Sequence, residues 1–204
     1  MSGRYDTTGN PEDQYYPGTE VLVNAEAVRD ADELLARETE LFVLAYEQLF
    51  TRFDTSLTPD LEFFYNLHRE VFAPLYEWAG RPRTVNIAKG GTPFCPPHNI
   101  DQMMRGLFDE LKREAWLADA GRGSFLERAA YYVCEMNAVH PFREGNGRTI
   151  RFYMDALAAR AFGELFDWTQ AIPDEYLQAC VSGFAGSYGL MESLLVRCLP
   201  VEAD

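Results

Sequence analysis

Apolar residues recur at helical spacing from about Ala25 to Phe50, where Leu34, Leu35, Leu41, Phe42, Leu44, Ala45, Leu49 and Phe50 define one face. Thr58 followed by Pro59 reads as an N-cap with proline in the first turn, opening a helix that carries Leu61, Phe64, Leu67, Val71 and Leu75 inward and stops before Gly80. The pattern then changes. Residues 81–97, RPRTVNIAKGGTPFCPP, hold β-branched residues, a Gly90-Gly91 turn and helix-forbidding prolines, which predicts a short hairpin with Pro93 on an edge strand. Asn99 is expected to cap a helix through Met103, Leu107, Leu111 and Trp116. Ser124 and Glu127 form a capping-box pattern for the next, with Leu126, Ala130, Val133 and Met136–Asn137 on its buried side. Helical spacing returns near 147–162 and again from Pro173 to Leu199, with a break around Gly183 and Gly186. Residues 1–20, with Pro11, Pro17 and three glycines, read as an irregular arm. The expectation is a mainly α chain: an arm at 1–20 and a single helical domain over 21–204 with one hairpin.

Composition narrows the picture. The chain has 204 residues, 47% of them apolar, enough for a sizeable core. Its net charge of −14 repels phosphate backbones and disfavours direct nucleic-acid binding. Any polyphosphate site must be a local basic island. Cys95, Cys134, Cys180 and Cys198 form no C-x-x-C pair and read as reduced thiols, which points to the cytoplasm. The first ten residues are polar and glycine-bearing, unlike a secretory leader, and no apolar run is long enough to span a bilayer.

One connection stands apart: His140-Pro141-Phe142-Arg143-Glu144-Gly145-Asn146-Gly147-Arg148-Thr149-Ile150-Arg151. Pro141 ends one helix and the next begins near Gly147. Gly145, Asn146 and Gly147 therefore sit at a helix N-terminus, where free N–H groups and the helix dipole favour an anion. Arg148 and Arg151 are three apart, so both are expected on one side, offering forked donors to phosphate. Glu144 is suited to a Mg²⁺ that bridges phosphates, and His140 to taking a proton at neutral pH. A base, a carboxylate, an anion nest and two arginines describe a phosphoryl-type transfer site.

These twelve residues match, position for position, the pattern H-x-F-x-[D/E]-G-N-G-R-x-x-R, and the chain resembles the Fic (filamentation induced by cAMP) family. The resemblance implies a Fic-type helical bundle whose hairpin, at 84–95, is a flap. It implies a protein adenylyltransferase: His140 deprotonates a Ser, Thr or Tyr hydroxyl of a target protein, which attacks the α-phosphate of ATP. In that scheme Glu144 holds Mg²⁺, Gly145, Asn146 and Gly147 receive phosphates, Arg148 neutralises the departing pyrophosphate, Arg151 reaches the γ-phosphate and Phe142 anchors the loop. Lys89 and Gly90 of the flap and Asn137, one turn before His140, would also meet the nucleotide. The flap edge would align an extended target segment by strand addition. Doc-like kinases, which resemble this motif, have lysine where this chain has Gly147, so Gly147 favours nucleotidyl over phosphoryl transfer. A phosphotransferase of that type, or a Fic-like scaffold without turnover, are the competing readings.

Small members of the family resemble bacterial toxins that modify DNA gyrase and topoisomerase IV, which makes those enzymes the expected targets. Many members are silenced by a helix reading [S/T]-x-x-x-E-[G/N], whose glutamate meets the second motif arginine, here Arg151. Glu144 is the only glutamate of this chain followed by glycine or asparagine. An inhibitory antitoxin supplied in trans is therefore expected. The three histidines match no zinc spacing, Cys134 lies on a buried helix face, the aromatic residues of 63–78 read as core, and the acidic residues of 26–40 read as a solvated helix face.

Overall fold

The computed structural model describes residues 5–8, 14–51 and 57–199. Among them helices dominate: α1 (Ala31–Thr51), α2 (Leu61–Phe72), α3 (Pro97–Arg113), α4 (Arg122–Val139), α5 (Asn146–Phe162), α6 (Pro173–Phe184) and α7 (Gly189–Cys198). Three short strands, β1 (Asp6–Thr8), β2 (Asn86–Lys89) and β3 (Thr92–Pro93), form an antiparallel sheet in the order β1-β2-β3. None of these helices is long and apolar enough to cross a membrane.

Helix α4 is the axis of the bundle. Phe125, Leu126, Ala129, Ala130, Tyr132, Val133, Cys134, Met136 and Val139 are all buried, so it is apolar nearly all round and packs on α3, α5, α6 and α7. Helix α6 comes so close that a Cβ on Gly183 would lie 2.6 Å from the Cys134 side chain. The four cysteines are free thiols, three of them buried.

Several boundaries differ from expectation, each for a local reason. Helix α1 starts at Ala31 rather than Ala25, because the Asp30 carboxylate accepts the amides of Asp32 and Glu33 at 3.0 and 2.9 Å. Asp60, not Thr58, caps α2 by accepting the Phe63 amide at 2.9 Å, and that helix ends at Phe72. Asn99 does not cap α3; Pro97 takes its first position and Asn99 falls inside the first turn. That helix stops at Arg113, since Ala115, Trp116 and Leu117 turn left-handed with φ of 52°, 59° and 59°. Ser124 is not a cap either, as α4 starts earlier from Gly121. The 173–199 segment does break, between Phe184 and Gly189.

The arm is not wholly irregular. Asp6, Thr7 and Thr8 pair with Ala88, Ile87 and Asn86, so β1 occupies the β2 edge that was expected to be exposed. Residues 1–4 and 9–13 of the arm lie outside the described residues.

Helix α5 is held to its surroundings by Asp155, which is fully buried. Its carboxylate accepts the Phe166 amide at 2.9 Å, Trp168 Nε1–H at 2.8 Å and the Tyr46 hydroxyl at 3.0 Å. Asp155→Ala leaves three donors without an acceptor, each worth about 1–3 kcal/mol when buried. We expect the variant to lose roughly 3 kcal/mol or more, read as a lower urea midpoint at unchanged m.

Candidate active site

His140 follows α4 as its C-cap, in a left-handed conformation with φ 50° and ψ 62°. A side chain there costs about 1–2 kcal/mol, and glycine is the usual occupant. Its amide still donates to the Met136 carbonyl at 2.9 Å, and the ring is nearly buried. Nδ1 lies 3.1 Å from the Asn137 carbonyl oxygen, which only accepts. Nδ1 therefore carries the proton, and Nε2 keeps its lone pair. The Tyr5 hydroxyl, 2.9 Å from Nε2, must then be the donor. Burial pushes the His140 pKa down from 6.5 to about 3, against the pull of the Asn137 carbonyl, so the ring is neutral at physiological pH with its Nε2 lone pair unprotonated. Phe94 of the hairpin stacks on it, with centroids 3.9 Å apart.

The loop after His140 is held by side chains. Phe142 points inward and is fully buried, and Asn146 grips its backbone, accepting the Phe142 amide and donating to its carbonyl, both at 2.8 Å. The Asn146 amide side chain is thus engaged in the turn, leaving its main chain toward any ligand. His68 stacks on Phe142 at 3.8 Å and bonds Glu144 from below. Its Nδ1 accepts the Gly80 amide at 2.9 Å, so Nε2–H donates to the Glu144 carbonyl at 3.0 Å. Gly145 precedes α5 with φ 81°, and a Cβ there would strike the Phe72 ring at 2.4 Å. Only glycine meets both conditions. The N-terminus of α5 has no side-chain cap, and a Cβ on Gly147 would enter open space. The nest is therefore open at Gly147, while the Gly145 amide already donates to the Glu144 carboxylate at 2.9 Å.

Charge is concentrated around Arg148. Its Nη2 lies 2.5 Å from the Glu38 carboxylate and 3.5 Å from that of Glu144, and its guanidinium sits 4.8 Å over the Phe72 ring. Nη1 is buried with no protein partner. Glu38 is only 4% exposed and accepts the Tyr76 hydroxyl at 2.5 Å. It corrects the reading of 26–40 as wholly solvated. Burial, and then the Glu38 charge, push the Glu144 pKa upward, while the Gly145 amide and Arg148 pull it down. Arg151 lies elsewhere, 5.7 Å over the Tyr176 ring, and has no carboxylate partner among the described residues. The two motif arginines lie against different helices, α2 and α6, rather than on one side.

The hairpin is joined to this loop by Arg83. Its Nε donates to the His140 carbonyl at 2.9 Å, Nη1 to Val85 at 2.7 Å, and Nη2 to Cys95 at 2.5 Å and Val139 at 3.2 Å. Backbone bonds from Arg83 to Pro141 and from Cys95 to Ala138 complete the seam. Lys89 and Gly90 are exposed at the hairpin tip, and Lys89 Nζ is 5.8 Å from the Tyr5 ring centre. Asn137 is half-buried, and its carbonyl rather than its side chain addresses His140.

Four residues of the site were not expected: Tyr5, Glu38, His68 and Arg83. Only Glu38 left a mark in the sequence, as a charge at helical spacing between Leu34 and Leu41–Phe42 on an apolar face. The donor set suits a hard divalent cation in part. Glu144 offers one carboxylate whose ionised form is disfavoured by burial and then by the Glu38 carboxylate, beside the start of α5; phosphates would complete the shell. No group of three or more His, Cys, Asp or Glu gathers a metal among the described residues.

The Fic/DOC family pattern matches residues 58–158. The chain is 33% identical over 198 residues to protein adenylyltransferase VbhT of Bartonella schoenbuchensis, covering 96% of this chain and 40% of that protein. It is 35% identical over 197 residues to the probable protein adenylyltransferase y4lH of Sinorhizobium fredii, covering 96% of this chain and 99% of the relative. Its fold matches the crystal structure of the N-terminal FIC domain of Bep8 from Bartonella sp. 1-1C with a TM-score of 0.82 at 22% identity, over 91% of this chain and 93% of that one.

His140 and His68 are both expected to be neutral at pH 5, in opposite tautomers: Nδ1–H for His140 and Nε2–H for His68. Burial lowers each pKa from 6.5 to about 3. Unfolded chains therefore take up these protons first on acidification. The contribution of each ring to stability is complete above about pH 6.5 and falls as pH drops toward about 3. Imidazole ¹⁵N shifts across a titration check this, and a His140 ring charged at pH 5 contradicts the arrangement.

Proposed function

The chain belongs to the Fic/DOC family, and on that premise we propose that it moves AMP from ATP onto a hydroxyl side chain of another protein. One observation supports this most: the Nε2 lone pair of His140 already accepts a hydrogen bond from a hydroxyl, in the loop that leads into a helix N-terminus without a side-chain cap. The names of the relatives, protein adenylyltransferases, agree with it.

In this mechanism His140 takes the proton of the acceptor hydroxyl as it attacks the α-phosphate, and the Asn137 carbonyl on Nδ1–H steadies the imidazolium that forms. The main chain of 145–147 receives phosphate oxygens. Arg148 supplies its unpartnered Nη1 to them, and Arg151 reaches the terminal phosphate. Glu144 would hold Mg²⁺, which supplies charge neutralisation between phosphates when bound. Lys89 and Gly90 would close over the nucleotide, with Asn137 below. Gly147, where lysine marks the Doc-like kinases, favours AMP transfer over phosphate transfer.

The target assigned by resemblance is DNA gyrase and topoisomerase IV, in the cytoplasm. The partner that restrains the enzyme is an antitoxin whose carboxylate meets Arg151, a guanidinium without an acidic partner among the described residues.

Labelled Mg-ATP with a cell lysate and with purified gyrase tests the reading. His140→Ala should retain nucleotide binding and lose transfer by about 10²–10⁴ or more, the scale of a missing general base. Near-normal transfer by that variant rules out His140 as the base, and ATP binding without labelled protein supports the scaffold. Separately, purification from the native host should recover a small helical protein that suppresses transfer. If the isolated chain is inert and Arg151→Ala activates it, the restraint is internal.

A further inference from the structure

Strand β1 and Tyr5 together reproduce what a protein target has to present. An extended target would pair with the β2 edge and place a hydroxyl on Nε2 of His140. The chain's own N-terminal segment does both. Asp6, Thr7 and Thr8 pair antiparallel with Ala88, Ile87 and Asn86, and the next residue back, Tyr5, donates its hydroxyl to Nε2 at 2.9 Å. Tyr5 is 8% exposed, set edge-on to Phe94 and to the His140 ring. The same side chain lines a cavity of about 400 Å³ whose wall includes Arg143, Glu144, Glu38 and Tyr76. The acceptor side chain and the Glu144 carboxylate thus face one cavity, while the Tyr5 hydroxyl itself rests on the base. A purely structural tyrosine would not require its hydroxyl on the one nitrogen that must receive a proton.

We propose that Tyr5 is an intrachain acceptor and that the chain adenylylates itself there, with β1 acting as a tethered target strand. The inference rests on the transfer reading above. Tyr5 Oη forms a bond to the α-phosphorus of ATP. The bond from that phosphorus to the oxygen bridging the β-phosphate breaks, and its electron pair leaves with pyrophosphate. The phenolic proton passes to Nε2 of His140. Burial raises the pKa of Tyr5, which keeps the hydroxyl protonated until the base acts. The arm and a protein target use one edge, so they compete for it.

The test is incubation of the full-length chain with Mg-ATP, alone and with lysate, followed by peptide mass spectrometry. One adenylyl group on Tyr5 is expected, at a first-order rate independent of protein concentration. It should be absent from His140→Ala, and no adduct should form on this segment in Tyr5→Phe. Thr8→Pro supplies an independent arm. The Ile87 carbonyl accepts Phe94 N–H on the β3 side, so by antiparallel alternation Asn86 and Ala88 turn their main chain toward β1, and Thr8 faces Asn86. Proline at 8 removes a ladder donor and should slow Tyr5 labelling several-fold. Labelled lysate proteins with Tyr5 bare overturn this inference and leave the transfer reading standing. A Tyr5 rate that rises with protein concentration overturns it as well, since the acceptor then comes from another copy. No label on chain or lysate overturns both.

Discussion

Two stretches of chain far apart in sequence meet at the site, and the group that joins them is the guanidinium of Arg83. Helix α4 ends with carbonyl groups that have no helical partner, and the hairpin begins and ends with carbonyls facing the same point. Arg83 donates to Val139 and His140 on one side and to Val85 and Cys95 on the other. A planar fork with five donors can do this, and a single ammonium cannot. The cost of its burial is visible in a pKa lowered to about 10. What it fixes is the distance between the hairpin and His140. Everything the hairpin contributes, including the Phe94 stack and the register of β1, depends on that seam.

Around Arg148 the balance of charge is unusual. Glu38 and Glu144 share one guanidinium, and Arg143, the next cation along, is engaged with Gln14 and Tyr15. With both carboxylates ionised the cluster holds one negative charge in excess. A polyphosphate at the proposed nest would meet that excess together with Arg148. On the proposed mechanism, a divalent cation on Glu144 would reverse the sign locally and would favour a metal-bound nucleotide over a bare one. Glu38 also fixes Arg148 in place, leaving Nη1 as its unpaired donor.

The motif was legible because it is contiguous: twelve residues that make a helix end, a turn and a helix start bring His140, Glu144 and the start of α5 into one loop without reference to the rest of the chain. The helices were legible from their apolar period. Their ends were not, because Asp30, Asp60 and Pro97 outcompeted equally plausible caps nearby. The groups that support the motif were hidden for another reason, with Glu38 alone marked as a charge on an apolar face. Tyr5, Glu38, His68 and Arg83 reach their partners across 135, 110, 76 and 57 residues. Nothing local distinguishes Arg83 from a solvated arginine or His68 from an ordinary core histidine. The separation of Arg148 and Arg151 was misjudged because spacing on α5 fixes where side chains start, not which neighbouring helix they lie against.

A bare strand edge is a hazard, since its unpaired amides accept any extended chain, including another copy of the same protein. Among the described residues the edge of β2 is covered by three, too few to hold by ladder bonds alone. Tyr5 anchors one end through its bond to His140, and attachment to the domain holds the other. The chain returns to the domain at Gln14 and Tyr15, both bound to Arg143, which confines β1 near its edge at an effective concentration on the order of millimolar. Such a cover excludes weak, accidental partners at cellular concentrations yet yields to one that binds the edge and the pocket together. If a target docks on this edge as proposed, selectivity would begin before any target side chain is read, as a threshold set by the length of the tether.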